Sequence, residues 1–132
     1  MDFSLNLGAL DEGKKQKIDE DKLYDVIVVG SGPAAVSAAI YAVRKGLSTA
    51  MIGVKVGGQV LDTNEIENII GTPKTTGSKY AETLEEHLKE YEIAFKDGHL
   101  VKEIKEDGKD KAIVTDDGKI DQPTKVRIAK RA

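Results

Sequence analysis

Apolar positions in this chain fall into short blocks whose period changes from one block to the next. Residues 24–29, Tyr-Asp-Val-Ile-Val-Val, form a nearly continuous apolar run rich in β-branched residues. That pattern suits a strand buried on both faces, as in a parallel sheet. A bare turn follows, and then an alanine-rich segment. There Ala35, Ala38, Ala39 and Ala42 keep one side slim, while Val36, Ile40 and Val43 supply bulk. This spacing predicts a helix lying close on the strand. Gly46 closes it, and residues 47–52 make a second apolar run, so the unit is βαβ.

Tyr80, Leu84, Leu88 and Tyr91 then recur at helical spacing, with glutamates between them. They predict a second helix over 76–92 whose stripe packs into the core, with Thr76 or Ser78 as its cap. Residues 93–95 form a short strand candidate. Asp-Gly dipeptides at 97–98, 107–108 and 117–118 recur every ten residues. Such pairs between alternating segments are strong hairpin signals. They predict strands near 99–106 and 111–115, and one after Gly118. The expected fold class is α/β, a Rossmann-like βαβ parallel sheet with an attached antiparallel β-meander.

The turn between the first strand and helix carries the first chemistry. Gly30-Ser31-Gly32-Pro33-Ala34-Ala35 fits G-x-G-x-x-G/A, with Ala35 in the third position. The first glycine permits the tight turn, the second lets backbone approach a pyrophosphate, and the third small residue lets the helix sit close. Pro33 suits the first helical turn, where its missing N–H costs least. The helix N-terminus beyond it favours an anion. A glycine-rich turn can also simply join a strand to a helix, but the βαβ context here points to a nucleotide. A Rossmann site usually adds an acid about 20 residues on, to hold the ribose. The second strand instead ends Ala50-Met51-Ile52-Gly53, and the nearest acid downstream is Asp62, which weakens a plain NAD-binding reading.

Composition narrows the partners. The chain has 132 residues, 33% of them charged, and a net charge of −3, which allows one domain with a modest core. No basic patch with interleaved aromatics points to nucleic acid. No apolar run approaches the ~18 residues of a membrane span, and the polar N-terminus does not read as a signal peptide, so the default expectation is a cytoplasmic location. There is no cysteine, hence no disulfide framework, thiolate metal site or redox dithiol within these residues. His87 and His99 are too few and too scattered to suggest a metal site. Residues 1–22 read as a polar, solvated leader.

A second glycine pair lies in Val56-Gly57-Gly58-Gln59-Val60, where the backbone must turn sharply or lie against a ligand. With Ile66-Glu67-Asn68-Ile69-Ile70-Gly71 downstream, the chain resembles the thioredoxin reductase family, including the related flavoprotein subunits of alkyl hydroperoxide reductase. The resemblance rests on Tyr24–Ala34 in the pattern YDVxVVGxGPA, on AAIYAxRKGL at 38–47, on GGQ at 57–59, on xIENxxG at 65–71 and on the helix near 83–91. It covers residues 23–118, and the motifs occur in order at suitable spacing.

The resemblance implies FAD. It assigns the pyrophosphate to Gly30, Ser31, Gly32, Pro33 and Ala34, and the adenosine to Ile52, Gly53 and Val54, with Leu100 and Val101 near the adenine. It assigns Gly57, Gly58 and Gln59 to the riboflavin part, and Asn64 and Asn68 to the isoalloxazine edge. Amides suit that ring chemically, since it offers both donors and acceptors. Asn64 and Asn68 equally suit plain turn-capping roles. Family members run to more than twice this length, with an ATG-type turn after the meander, an NADPH domain bearing a C-x-x-C, and a returning segment. Residues 119–132 form a basic tail that departs from that pattern, so residues 23–118 read as an incomplete FAD domain without catalytic residues of its own. The expected role is the FAD-binding portion of a thioredoxin reductase-like oxidoreductase. Two alternatives stand beside it: a subunit of a split flavoenzyme, completed by a chain with an NAD(P)H domain and dithiol, and a non-catalytic nucleotide-binding or interaction module. A homodimer is compatible with the resemblance.

Overall fold

A computed structural model describes residues 16–116 and 125–129. The strands are β1 (Leu23–Tyr24), β2 (Val26–Val29), β3 (Thr49–Ile52), β4 (Ala94–Lys96), β5 (Leu100–Asp107), β6 (Asp110–Asp116) and β7 (Lys125–Ala129). Helix α1 spans Pro33–Arg44, helix α2 spans Gly77–Leu88, and a 3-10 turn covers Gly58–Asp62. Strands β2, β3 and β4 form a parallel sheet in that order, and a second sheet has the order β1-β7-β6-β5. The α/β class with parallel sheet and attached meander is what the sequence predicts. The third Asp-Gly pair, 117–118, lies outside the described residues, but the strand expected after it is present as β7, antiparallel to β6 and parallel to β1.

The meander does not extend the parallel sheet; it covers one face of it. The side-chain period of 2 along β3 decides which residues meet which layer. Ala50 and Ile52 join Tyr24, Ala94 and Ile113 in one buried cluster, between the sheets. Met51 joins Val36, Ala39, Ile40, Val56 and Ile93 in another, under the helices. β3 is therefore buried along its whole length.

Two expectations change in detail. The run 24–29 is not one strand: β1 enters the meander sheet and β2 the parallel sheet, with Asp25 at the break. There the Asp25 carboxylate accepts from the Ser48 N–H at 2.9 Å and from its hydroxyl at 3.2 Å, while the Asp25 N–H donates to Ser48 Oγ at 2.9 Å. Burial on both faces belongs to β3, the central strand, and not to β2, which lies at the sheet edge with Val29 51% exposed. In addition, residues 16–22, read as the end of a solvated leader, dock on the fold. Gln16 bridges Ala94 in parallel register, and Ile18 packs on the inter-sheet cluster.

Candidate functional site: two clefts beside a glycine turn

The parallel strands end at Gly30 and Gly53, and the site is built at those carboxyl ends, where open α/β sheets bind ligands. The Gly30 N–H donates to the Ile52 carbonyl at 2.8 Å, and the Gly53 N–H to the Lys96 carbonyl at 3.1 Å, so three strand ends are tied together. Pro33 is the first residue of α1, and Gly32 precedes it in extended backbone with no side-chain cap. Among the described residues no acceptor takes the N–H groups of Gly32, Ala34 and Ala35. A Cβ built on Gly32 meets nothing closer than the Gly57 carbonyl oxygen at 3.9 Å. The turn thus offers open space and unpaired donors at a helix N-terminus, a combination that suits a phosphate.

Ser31 plays a different part. It is nearly buried, and its hydroxyl donates to the Lys55 carbonyl at 2.7 Å while its carbonyl accepts from the Gly57 N–H at 2.8 Å. Its side chain fastens the two glycine loops together. Gly53 makes room for it, because a Cβ there would lie 2.6 Å from Ser31 Oγ.

The second glycine pair lies hard against other parts of the chain. Gly57 has φ +108°, and a Cβ on it would lie 2.6 Å from the Ala81 Cβ on α2. A Cβ on Gly58 would lie 3.2 Å from the Gly32 Cα. Helix α2 starts at Gly77, capped by Thr76 Oγ1 accepting from the Lys79 N–H at 3.2 Å. A Cβ on Gly77 would fall on the carbonyl oxygens of Val60 and Thr63. The loop 56–63 is therefore clamped between the Gly30–Pro33 turn and α2.

A cleft opens on each side of that clamp. One, about 500 Å³, is lined by Gly30, Ser31, Ile52, Gly53, Val54, Gly58 and Gln59, with His99 just before β5 and Leu100 and Val101 at its start. The other, about 700 Å³, is lined by Pro33, Val60, Thr63, Ile66, Asn68, Ile69 and Tyr80. The expected residues are thus gathered at one end of the molecule but divided. Gln59 and Asn68, expected on the same half of a ligand, line different clefts. Asn64 is exposed and lines neither, while Gly32, Ala34, Ala35 and Gly57 lie in the turn and clamp between them. Tyr80 is a correction: it is a cleft wall, and the buried residues of α2 are Gly77 and Ala81. Sequence reasoning also missed Val60, Thr63 and His99. Val60 and Thr63 meet Gly77, and His99 meets Gly53 and Asp116, and no local pattern marks these contacts.

Residues 24–76 match the family described as pyridine nucleotide-disulphide oxidoreductase. The chain is 45% identical over 91 residues to an alkyl hydroperoxide reductase subunit of Escherichia coli strain K12, covering 66% of this chain and 18% of that protein. It is 57% identical over 70 residues to an NADH dehydrogenase of Bacillus subtilis strain 168, covering 53% of this chain and 14% of that one. Among solved structures, T. acidophilum thioredoxin reductase superposes with a TM-score of 0.68 at 29% identity, covering 83% of this chain and 33% of that one. The matched part thus spans 18% and 14% of these two curated relatives and a third of the solved one. Over the matched residues it is similar to the pyridine nucleotide-disulphide oxidoreductases. Within that class it is thioredoxin reductase-like, and what it matches is the N-terminal part of the FAD domain.

Proposed function

We propose that this chain binds FAD with the diphosphate over the Gly30–Pro33 turn, the adenosine in the smaller cleft and the flavin ring in the larger. The observation that carries this reading is the pair of clefts meeting at a turn with open space beside Gly32 and unpaired N–H groups at Gly32, Ala34 and Ala35. A ligand with a charged middle and two ring systems matches that layout. In this reading the turn amides hold the diphosphate, and Val54, Leu100 and Val101 offer the apolar surface for adenine. Asn68 bonds the ring edge, with Tyr80 and Ile66 as wall and floor. Gln59, on the smaller cleft, serves the adenosine or diphosphate side. FAD, when bound, supplies a ring that takes up and passes on an electron pair.

The role that follows is the FAD-binding portion of a thioredoxin reductase-like oxidoreductase in the cytoplasm. Reduction of a disulfide needs a thiolate pair, and the chain has no cysteine, so that dithiol comes from outside these 132 residues. Titration of the purified chain with FAD and with ADP, followed by calorimetry and flavin absorbance, tests the reading. Binding of both, with FAD the tighter, supports it; no binding of either at millimolar ligand overturns it. Loaded with FAD and given NADPH and a thioredoxin-like disulfide, the chain is expected to release no thiol above a free-FAD control.

A further inference from the structure

A Rossmann turn usually comes with a ribose acid, and the packing around β3 explains why this chain has none. Such an acid stands at the end of the second parallel strand, about 20 residues beyond the glycine turn, and holds the ribose 2′-OH. Here that place is Gly53, directly after β3. A Cβ on Gly53 would lie 2.6 Å from both Cβ and Oγ of Ser31, and 3.0 Å from the Gly30 carbonyl carbon. Ser31 cannot retreat without breaking its 2.7 Å hydrogen bond to the Lys55 carbonyl. A carboxylate is therefore barred from this place by the same contact that fastens the two glycine loops together.

The nearest charge along the chain has the opposite sign. Lys55 follows Gly53 and Val54, is exposed, and lines the smaller cleft. Its backbone is fixed, because its carbonyl accepts from Ser31 Oγ at 2.7 Å and from the Gly58 N–H at 3.1 Å. Lys55 also borders a second cavity together with Glu85 and Asp97, yet among the described residues it makes no ion pair. Among the described residues that line the smaller cleft, Asp62 is the one carboxylate. It ends the 3-10 turn Gly58–Asp62 and not a parallel strand.

We propose that the smaller cleft takes adenosine nucleotides bearing a 2′-phosphate, with Lys55 as the counter-charge, an inference that rests on the adenosine lying in that cleft. A carboxylate at the strand end favours a 2′-hydroxyl and repels a 2′-phosphate, whereas a cation nearby accommodates the phosphate. Here the carboxylate is sterically excluded and the cation is present. Lysine offers phosphate a point charge on a flexible stem, without the bidentate fork of arginine. The gain is therefore that of one exposed ion pair, small but measurable.

ADP-ribose and 2′-phospho-ADP-ribose make a matched pair of probes for the full chain. Both carry a diphosphate for the Gly30–Pro33 turn, and they differ only at the adenosine 2′-oxygen. At ~50 mM salt, where screening is weak, calorimetry should find the 2′-phosphorylated ligand about fivefold tighter. Lys55→Gln should bring the ratio of the two affinities to about one, and Lys55→Glu should reverse it to about fivefold the other way. Adenosine 2′,5′-bisphosphate should likewise bind more tightly than its 3′,5′ isomer. A wild-type chain that binds ADP-ribose but gains nothing from the 2′-phosphate would overturn the proposal. So would a gain that survives in Lys55→Gln, or equal or tighter binding of the 3′,5′ isomer. No binding of either ADP-ribose would instead overturn the adenosine site itself, so the two failures are distinguishable.

Discussion

The two glycine loops of this chain look alike in sequence and differ in three dimensions. Around Gly32 there is open space, and among the described residues the neighbouring N–H groups are unpaired. Around Gly57 and Gly58 there is protein: Ala81 on one side and the Gly32 backbone on the other. One glycine keeps room for something outside the chain; the others let parts of the chain meet. A glycine motif therefore marks close approach without saying what approaches. The contrast also explains why Ser31, inside the fingerprint, uses its hydroxyl on Lys55.

The contrast is most exposed to test at Gly57. Gly57→Val combines a backbone at φ +108° with a side chain driven into Ala81, so it should destabilise the fold by about 2–5 kcal/mol. Urea unfolding monitored by circular dichroism measures this, and a loss under about 1 kcal/mol would put Gly57 in the same class as Gly32. Gly32→Val should do the reverse. Its backbone conformation suits any residue and its surroundings are open, so stability should change by less than about 1 kcal/mol. Affinity for both FAD and ADP should fall on the order of 100-fold, about 2.7 kcal/mol. Unchanged affinity in the folded variant would remove the phosphate reading from this turn.

A smaller effect probes the division between the clefts. Asn68→Ala should weaken FAD but not ADP, because Asn68 lines the larger cleft. Gln59→Ala should weaken both, because Gln59 lines the smaller one. Each lost hydrogen bond is worth on the order of 1 kcal/mol. Calorimetry with the two ligands checks the pair, and matching losses in both variants would mean that the clefts do not divide the cofactor. The smallest effect is at the helix that clamps the loop. Thr76→Ala removes the cap on the Lys79 N–H and should cost about 1 kcal/mol of stability, with ADP affinity unchanged when measured on the folded protein.

Much of the architecture was legible in the chain. The alanine spacing of α1, the turn at 30–35, the helical stripe of α2 and the ten-residue recurrence of Asp-Gly are local signals, and local signals survive without knowledge of the rest of the fold. They were enough for the βαβ unit, the meander and the glycine turn that the site is built on. Packing settled the remainder. Splitting residues 24–29 between two sheets depends on Asp25 meeting Ser48, 23 residues away. The burial of β3 on both faces depends on the meander folding over the parallel sheet, which sequence separation conceals. The role of Gly57 depends on Ala81, and the division of Gln59 from Asn68 depends on where the clamp between turn and helix falls. These are contacts between residues with no common period, so their outcome appears only when the layers are packed together.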